Sequence, residues 1–168
     1  MHRFRTSTEC ACVLGKLAPF ILLLSACAAA PVFDTAGIDQ TITPEQAQKD
    51  SSRDGARILW GGIILATENL NDSTRIEVMA YPLDSSQSPD IDEPLQGRFM
   101  LVEQGFLEPL TYAEGRRVTV TGTLQGHHSG KVGDSDYDYP LVRSEQLKLW
   151  PEDQPVRTFF HIGIGLQF

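Results

Sequence analysis

The chain has 168 residues, of which 41% are hydrophobic and 21% charged, and its formal net charge is −8. The length suits one domain, and the balance is that of a globular protein rather than a disordered, collagen-like or polytopic membrane chain. The acidic excess argues against a dedicated binder of the nucleic-acid phosphate backbone.

The N-terminal stretch carries Arg3, Arg5 and Lys16 against Glu9, and residues 17–26 form an apolar run ending in small side chains. A permanent spanning helix needs about 20 apolar residues, so this run is too short. A basic start, a short apolar core and a small-residue exit make a secretory signal peptide. Leu24, Ser25, Ala26 and Cys27 match the bacterial lipobox, in which the cysteine thiol receives a diacylglycerol and the chain is cut just before it. Two or three acyl chains hold a protein at a bilayer, since each buried methylene contributes about 0.8 kcal/mol. Ala28, not Asp, follows the cysteine, which by analogy directs the lipoprotein to the outer membrane of a Gram-negative cell. Removal of residues 1–26 brings the net charge to −10 and discards Cys10 and Cys12. Cys27 is then the one mature cysteine, so no intrachain disulfide is expected.

Residues 28–42 are small, polar and acidic and predict a tether. Thr43, Pro44 and Gln46 have the pattern of a helix start, with a cap, a proline at the first position and a capping-box partner. The helix is expected to end by Ser51 and Ser52. Residues 57–66 are β-rich, and Gly61–Gly62 inside them suggests a bulge or sharp bend. After a turn over 69–73, residues 74–81 alternate, with Ile76, Val78 and Ala80 on one face. The pair predicts a hairpin. Residues 84–94 are expected as a surface loop. Residues 97–102 predict a third strand, 105–115 a compact connector, and 117–124 a fourth strand. Residues 126–136 are expected as a polar loop, followed by a fifth strand region over 138–142 and 146–150. This order predicts an all-β, mainly antiparallel fold: a small OB-like barrel with a short N-terminal helix, or alternatively a β-sandwich. The expected organisation is a lipoprotein signal peptide over 1–26, a lipid-anchored tether over 27–43 and a barrel domain over 44–168.

Several segments, in order, carry a family resemblance. They are residues 57–63, 74–83, 97–99, 105–109, 112–116, 118–122, 130–133, 139–142 and 149–150, together with the lipobox. The chain resembles the Slp family, starvation-inducible outer-membrane lipoproteins of Gram-negative bacteria. The resemblance implies an outer-membrane lipoprotein linked to starvation or acid stress, and it supplies no catalytic residues and no cofactor.

The residues that invite a chemical role have plainer alternatives. Trp60 beside Gly61–Gly62 reads as a core ring at a strand bend; its functional alternative is an aromatic platform. Trp60, Tyr81, Tyr112 and Trp150 are the candidate ligand face of an OB-like module for cell-wall glycan, peptide or a cation. Tyr81 and Tyr112 are also candidates for packing at the barrel mouth, and Arg98 and Arg116 for pairing with surplus carboxylates. Asp134, Asp136, Asp138 and Glu145 imitate the spacing of a calcium loop. Tyr139 and Pro140 stand where that loop needs its sharp glycine turn, so a solvated acidic turn is expected. His127 and His128 lack a ligand partner at zinc spacing, and an exposed loop pair is expected. No metal site is assigned. Phe160, Ile162, Ile164, Leu166 and Phe168 alternate toward a terminal Phe, which suggests a terminal strand or membrane-facing tail, or the last strand of a spanning barrel. The first functional expectation is a non-enzymatic envelope component on the periplasmic face, whose partners are the membrane itself and envelope proteins or peptidoglycan. The second is the ligand-binding module.

Overall fold

The computed structural model describes residues 32–152. The lipobox with Cys27 and the alternating C-terminal segment lie outside the described residues.

The helix forms where its cap requires. The Gln46 amide N–H donates to Thr43 Oγ1 at 3.3 Å, and the Thr43 N–H donates to Gln46 Oε1 at 3.2 Å. This capping box satisfies two end donors that the helix itself leaves unpaired. The result is α1, Pro44–Lys49, with a Lys49–Glu45 ion pair on its outer side at 2.7 Å. Asp50 ends it in an extended conformation and caps a short 3₁₀ turn, Ser51–Arg53. The inner side of α1 places Ala47 beside Ile42 in the core.

Five strands follow: β1 Arg57–Asn69, β2 Ser73–Tyr81, β3 Arg98–Gln104, β4 Arg117–Val132 and β5 Ser135–Leu149. They close in the order β1-β2-β3-β5-β4, and β4 pairs back to β1. Every pairing is antiparallel except β3 with β5. This is the five-stranded barrel of the OB type, and closure decides against the sandwich. Its interior is packed with Ile58, Ile64, Ile76, Val78, Phe99, Leu101, Val118, Val120 and Val142, all fully buried. A spanning barrel reverses this pattern, with a polar interior and an apolar outer band.

β1 is long because it serves two neighbours. Its first half pairs with β4, its second half with β2, and the two ladders overlap at residues 61–63. At that overlap both neighbours press against β1. A Cβ on Gly61 would lie 2.6 Å from Leu83 Cδ2 and 2.9 Å from the Val118 carbonyl oxygen. On Gly62 it would run into the Met79 carbonyl. The glycine pair therefore permits close backbone approach, and the expected bulge is elsewhere, between Ile64 and Ala66.

The expected hairpin over β1 and β2 is present, and Ile76, Val78 and Ala80 face inward as the alternation requires. The expected polar loop over 126–136 is instead the outer half of one long hairpin. β4 and β5 continue beyond the barrel as a two-stranded arm, paired from His127 with Pro140 out to Val132 with Ser135. Gly133, at φ +60°, takes the first position of its two-residue turn. The two expected pieces of the fifth strand are one strand. The arm was hidden in the sequence because much of it is exposed, so its strands lack apolar alternation.

Two segments expected to be loose are docked. Phe33 and Ile42, in the expected tether, are buried at 4% and 3% exposure. The expected surface loop over 84–94 contributes buried Gln87, Ser88 and Pro89. The two segments hold each other. The Phe33 N–H donates to Gln87 Oε1 at 2.7 Å, and Gln87 Nε2 donates to the Phe33 carbonyl at 3.0 Å. Gln87 adopts φ +67° to do so, and its own carbonyl accepts from Thr119 Oγ1 at 2.7 Å.

Candidate functional site

A cleft of about 440 Å³ opens between this docked N-terminal segment, the start of β1, the end of β2 and the loop that follows β2. Its apolar wall comes from Ile42, Leu59, Pro82 and Leu83, and Trp60 and Tyr81 both reach it. The rest of its lining is uncharged and polar apart from Asp84, with Thr35, Gln40, Ser85 and Gln96 among it. Hydroxyl and backbone donors of Ser86, with the Ser88 backbone, hold the Asp84 carboxyl below the usual carboxylate range. Asp84 is thus ionised at neutral pH and already hydrogen-bonded.

Trp60 is set from below by the core. It is 5% exposed, its ring meets Phe99 edge-on at 5.3 Å, and its indole N–H donates to the Ile42 carbonyl at 2.7 Å. It is a core ring with one edge at the cleft, as the plainer expectation had it. Tyr81 is half-buried at the end of β2. Among the described residues, the side chains of Tyr81, Gln40 and Gln96 make no hydrogen bond, and all three residues line the cleft.

The other two aromatics go elsewhere. Tyr112 sits in the connector before β4 and packs against the core. Trp150 follows β5, donates its indole N–H to Thr119 Oγ1 at 2.9 Å, and lies under the Lys148 ammonium at 3.9 Å. The four predicted aromatics therefore do not share one face; two of them meet at the cleft. Leu59, Gln40 and Gln96 carried no sequence signal, because only the close of the barrel brings residues from four segments together.

The outer face of β2 and β3, which OB barrels commonly use for ligands, is covered by the protein's own arm. Tyr139 is buried and donates its hydroxyl to Glu77 at 3.0 Å; Arg98 binds the same carboxylate at 2.7 Å. The Arg98 N–H donates to the Tyr137 hydroxyl at 3.2 Å. Burial first, then the Glu77 carboxylate, pushes the Tyr139 phenol up. The hollow left there holds about 220 Å³, lined by Glu68, Arg75 and His128 among others. Within it Arg75 is paired with Glu68 at 2.6 Å and Glu77 with Arg98 at 2.7 Å, and Lys131 reaches it from the arm.

The calcium-loop spacing does not fold as a loop. Asp134 is in the arm's turn and Asp136 and Asp138 are on β5. Glu145 lies roughly 30 Å of strand further on. There it binds Arg57 at 3.0 Å and Thr123 Oγ1 at 2.8 Å. The histidines are on β4, not in a loop, and as neighbours on a strand they face apart. The His127 ring is 3.0 Å from the Ala47 carbonyl, while His128 lines the hollow under the arm. Among the described residues no cluster of three His, Cys, Asp or Glu side chains is placed to hold a metal. Arg98 and Arg116 do pair with carboxylates, Glu77 at 2.7 Å and Glu152 at 3.3 Å.

Comparison with known proteins identifies the lineage. The model of the outer membrane lipoprotein Slp family matches residues 24–164. The lipoprotein YeaY of Escherichia coli is 32% identical over 118 residues, 66% of this chain and 61% of that protein. The outer membrane protein Slp of the same organism is 31% identical over 108 residues, 64% of this chain and 57% of that protein. The matched stretch thus spans less than two thirds of these relatives' length. Among solved structures, the chain is similar to a mitochondrial single-stranded DNA binding protein from S. cerevisiae. The TM-score is 0.38 and the identity 13%, over 60% of this chain and all of the other. The chain belongs to the outer membrane lipoprotein Slp family.

Proposed function

We propose, with that membership as premise, that the protein is a non-enzymatic envelope lipoprotein. Acyl groups on Cys27 hold its acidic barrel at the periplasmic face of the outer membrane, and it serves the envelope during starvation or acid stress. The observation that carries this is the extent of the family match. It begins at Leu24, so it takes in the whole lipobox as well as the barrel. The docking of Phe33 adds a geometric consequence. From Cys27 to Phe33 the chain reaches at most about 20 Å when fully extended. Lipidation at Cys27 therefore keeps the barrel close to the bilayer surface rather than on a long leash. Envelope proteins and peptidoglycan are the partners within reach of such a domain.

Cell fractionation of Cys27→Ser tests the anchor. The variant is expected in the soluble periplasmic fraction, and its retention with the outer membrane overturns the reading. A strain lacking the protein is expected to survive starvation or acid less well than its parent. Survival equal to the parent in both conditions removes the stress role.

A further inference from the structure

We infer that the cleft beside Trp60 and Tyr81 is a binding site for a neutral, N-acetylated glycan strand. The inference stands apart from the anchor, because it rests on the lining of the cleft alone. Its volume of about 440 Å³ lies within the usual range for sites of small ligands.

The lining selects the ligand by its chemistry. Among the described residues no lysine or arginine lines the cleft and Asp84 is its one charged side chain, with Arg117 outside the lining acting on that carboxylate, so an anionic ligand gains no direct cationic contact and meets a negative charge. An extended peptide commonly adds itself to a free strand edge. Here the edge of β1 before Gly61, which β2 does not pair, is approached by the protein's own N-terminal segment, whose Asp39 N–H donates to the Arg57 carbonyl at 3.0 Å, and from Gly61 onward β2 takes it. The polar side chains of the lining that remain unused, among the described residues, include the amides of Gln40 and Gln96, the Tyr81 phenol and the hydroxyls of Thr35 and Ser85. Amides present a donor and an acceptor together, which suits the hydroxyls and acetamido groups of an amino sugar. The apolar wall of Leu59 and Leu83 receives the acetamido methyl, and the half-buried Tyr81 offers a ring face to the apolar side of a pyranose. The usual ligand face of the barrel is taken by the arm, whereas this cleft joins Trp60 and Tyr81 to a mainly uncharged lining.

The test uses the full acylated protein in detergent micelles and chitotetraose as the probe, followed by amide chemical shifts in NMR. Saturable shifts at residues 40, 81, 85 and 96 are expected at millimolar sugar. Tyr81→Ala is expected to weaken binding about tenfold or more. Gln40→Ala, at an exposed position, is expected to weaken it less without disturbing the fold. Trp150→Phe, outside the cleft, is expected to bind as the parent does. No saturable shift, shifts located elsewhere, or equal binding by all variants overturns the inference. Binding of a carboxylate-bearing stem peptide in the cleft in place of the sugar overturns it too. Fractionation of Cys27→Ser is read independently, so a failure of the glycan site leaves the anchor standing and the converse holds.

Discussion

Gln87 clamps the N-terminal segment to the barrel, and its removal has a calculable effect. In Gln87→Ala the Phe33 N–H and carbonyl, 2.7 and 3.0 Å from the Gln87 amide, both lose their partner. Phe33 is only 4% exposed, so water does not replace the bonds until the segment lifts. Two net hydrogen bonds at about 1 kcal/mol each make local lifting easier by about 2 kcal/mol. That is roughly a 30-fold rise in the open population. The barrel core holds no part of this clamp, so global unfolding changes less than local opening. Hydrogen exchange resolved by residue is the assay: the Phe33 amide is expected to exchange roughly 30-fold faster, while Val78 and Val120 keep their protection. Gln87→Gly separates the two roles of the residue. It loses the same bonds but relieves a left-handed backbone at φ +67°, a cost of about 1–2 kcal/mol for a residue with a Cβ. It is expected to expose Phe33 equally and to be globally more stable than the alanine variant. Unchanged exchange at Phe33 in Gln87→Ala, or uniform loss of protection throughout the barrel, refutes the reasoning.

Gly62→Ala drives a Cβ into the Met79 carbonyl, where backbone must give way. A loss on the order of 3 kcal/mol is expected in urea unfolding, and a loss below about 1 kcal/mol contradicts the close-approach account. Trp60→Phe strands the buried Ile42 carbonyl that now accepts the indole N–H at 2.7 Å. A cost of about 1–3 kcal/mol is expected by the same measurement. The Thr123 hydroxyl, then Arg57, holds the Glu145 carboxyl below its ordinary value of 4.5. The folded state thus binds fewer protons than the unfolded state, so this stabilisation is full above 4.5 and is lost as the pH falls through the folded value. Glu145→Gln is expected to be less stable at neutral pH and to decline less steeply in acid. A parallel decline in both proteins, followed by urea midpoints across the acid range, counts against it.

The N-terminal segment of the described residues is packed at Phe33 and Ile42, and the same segment forms one wall of the cleft through Thr35, Gln40, Ile42 and Thr43. Release of the Gln87 clamp is therefore expected to loosen both the position of the barrel and the wall of the cleft.

What the sequence determined by itself was local. The capping box of α1 depends on Thr43 and Gln46, three residues apart, and the inward face of β2 on simple alternation. The lipobox is a contiguous motif, and the ordered family segments ran through the barrel. Tertiary structure decided whatever depends on distant neighbours. The glycine pair of β1 reads as a bulge in isolation, and only the crowding by Met79 and Val118 shows it to be a close crossing. The arm of β4 and β5 is held by pairing between two polar strands and carries little burial signal of its own. Phe33 looked like part of a tether because its partner, Gln87, lies 54 residues away. The cleft has no sequence signature for the same reason: its amides and aromatics come from four separate segments, and closure of the barrel alone sets them side by side.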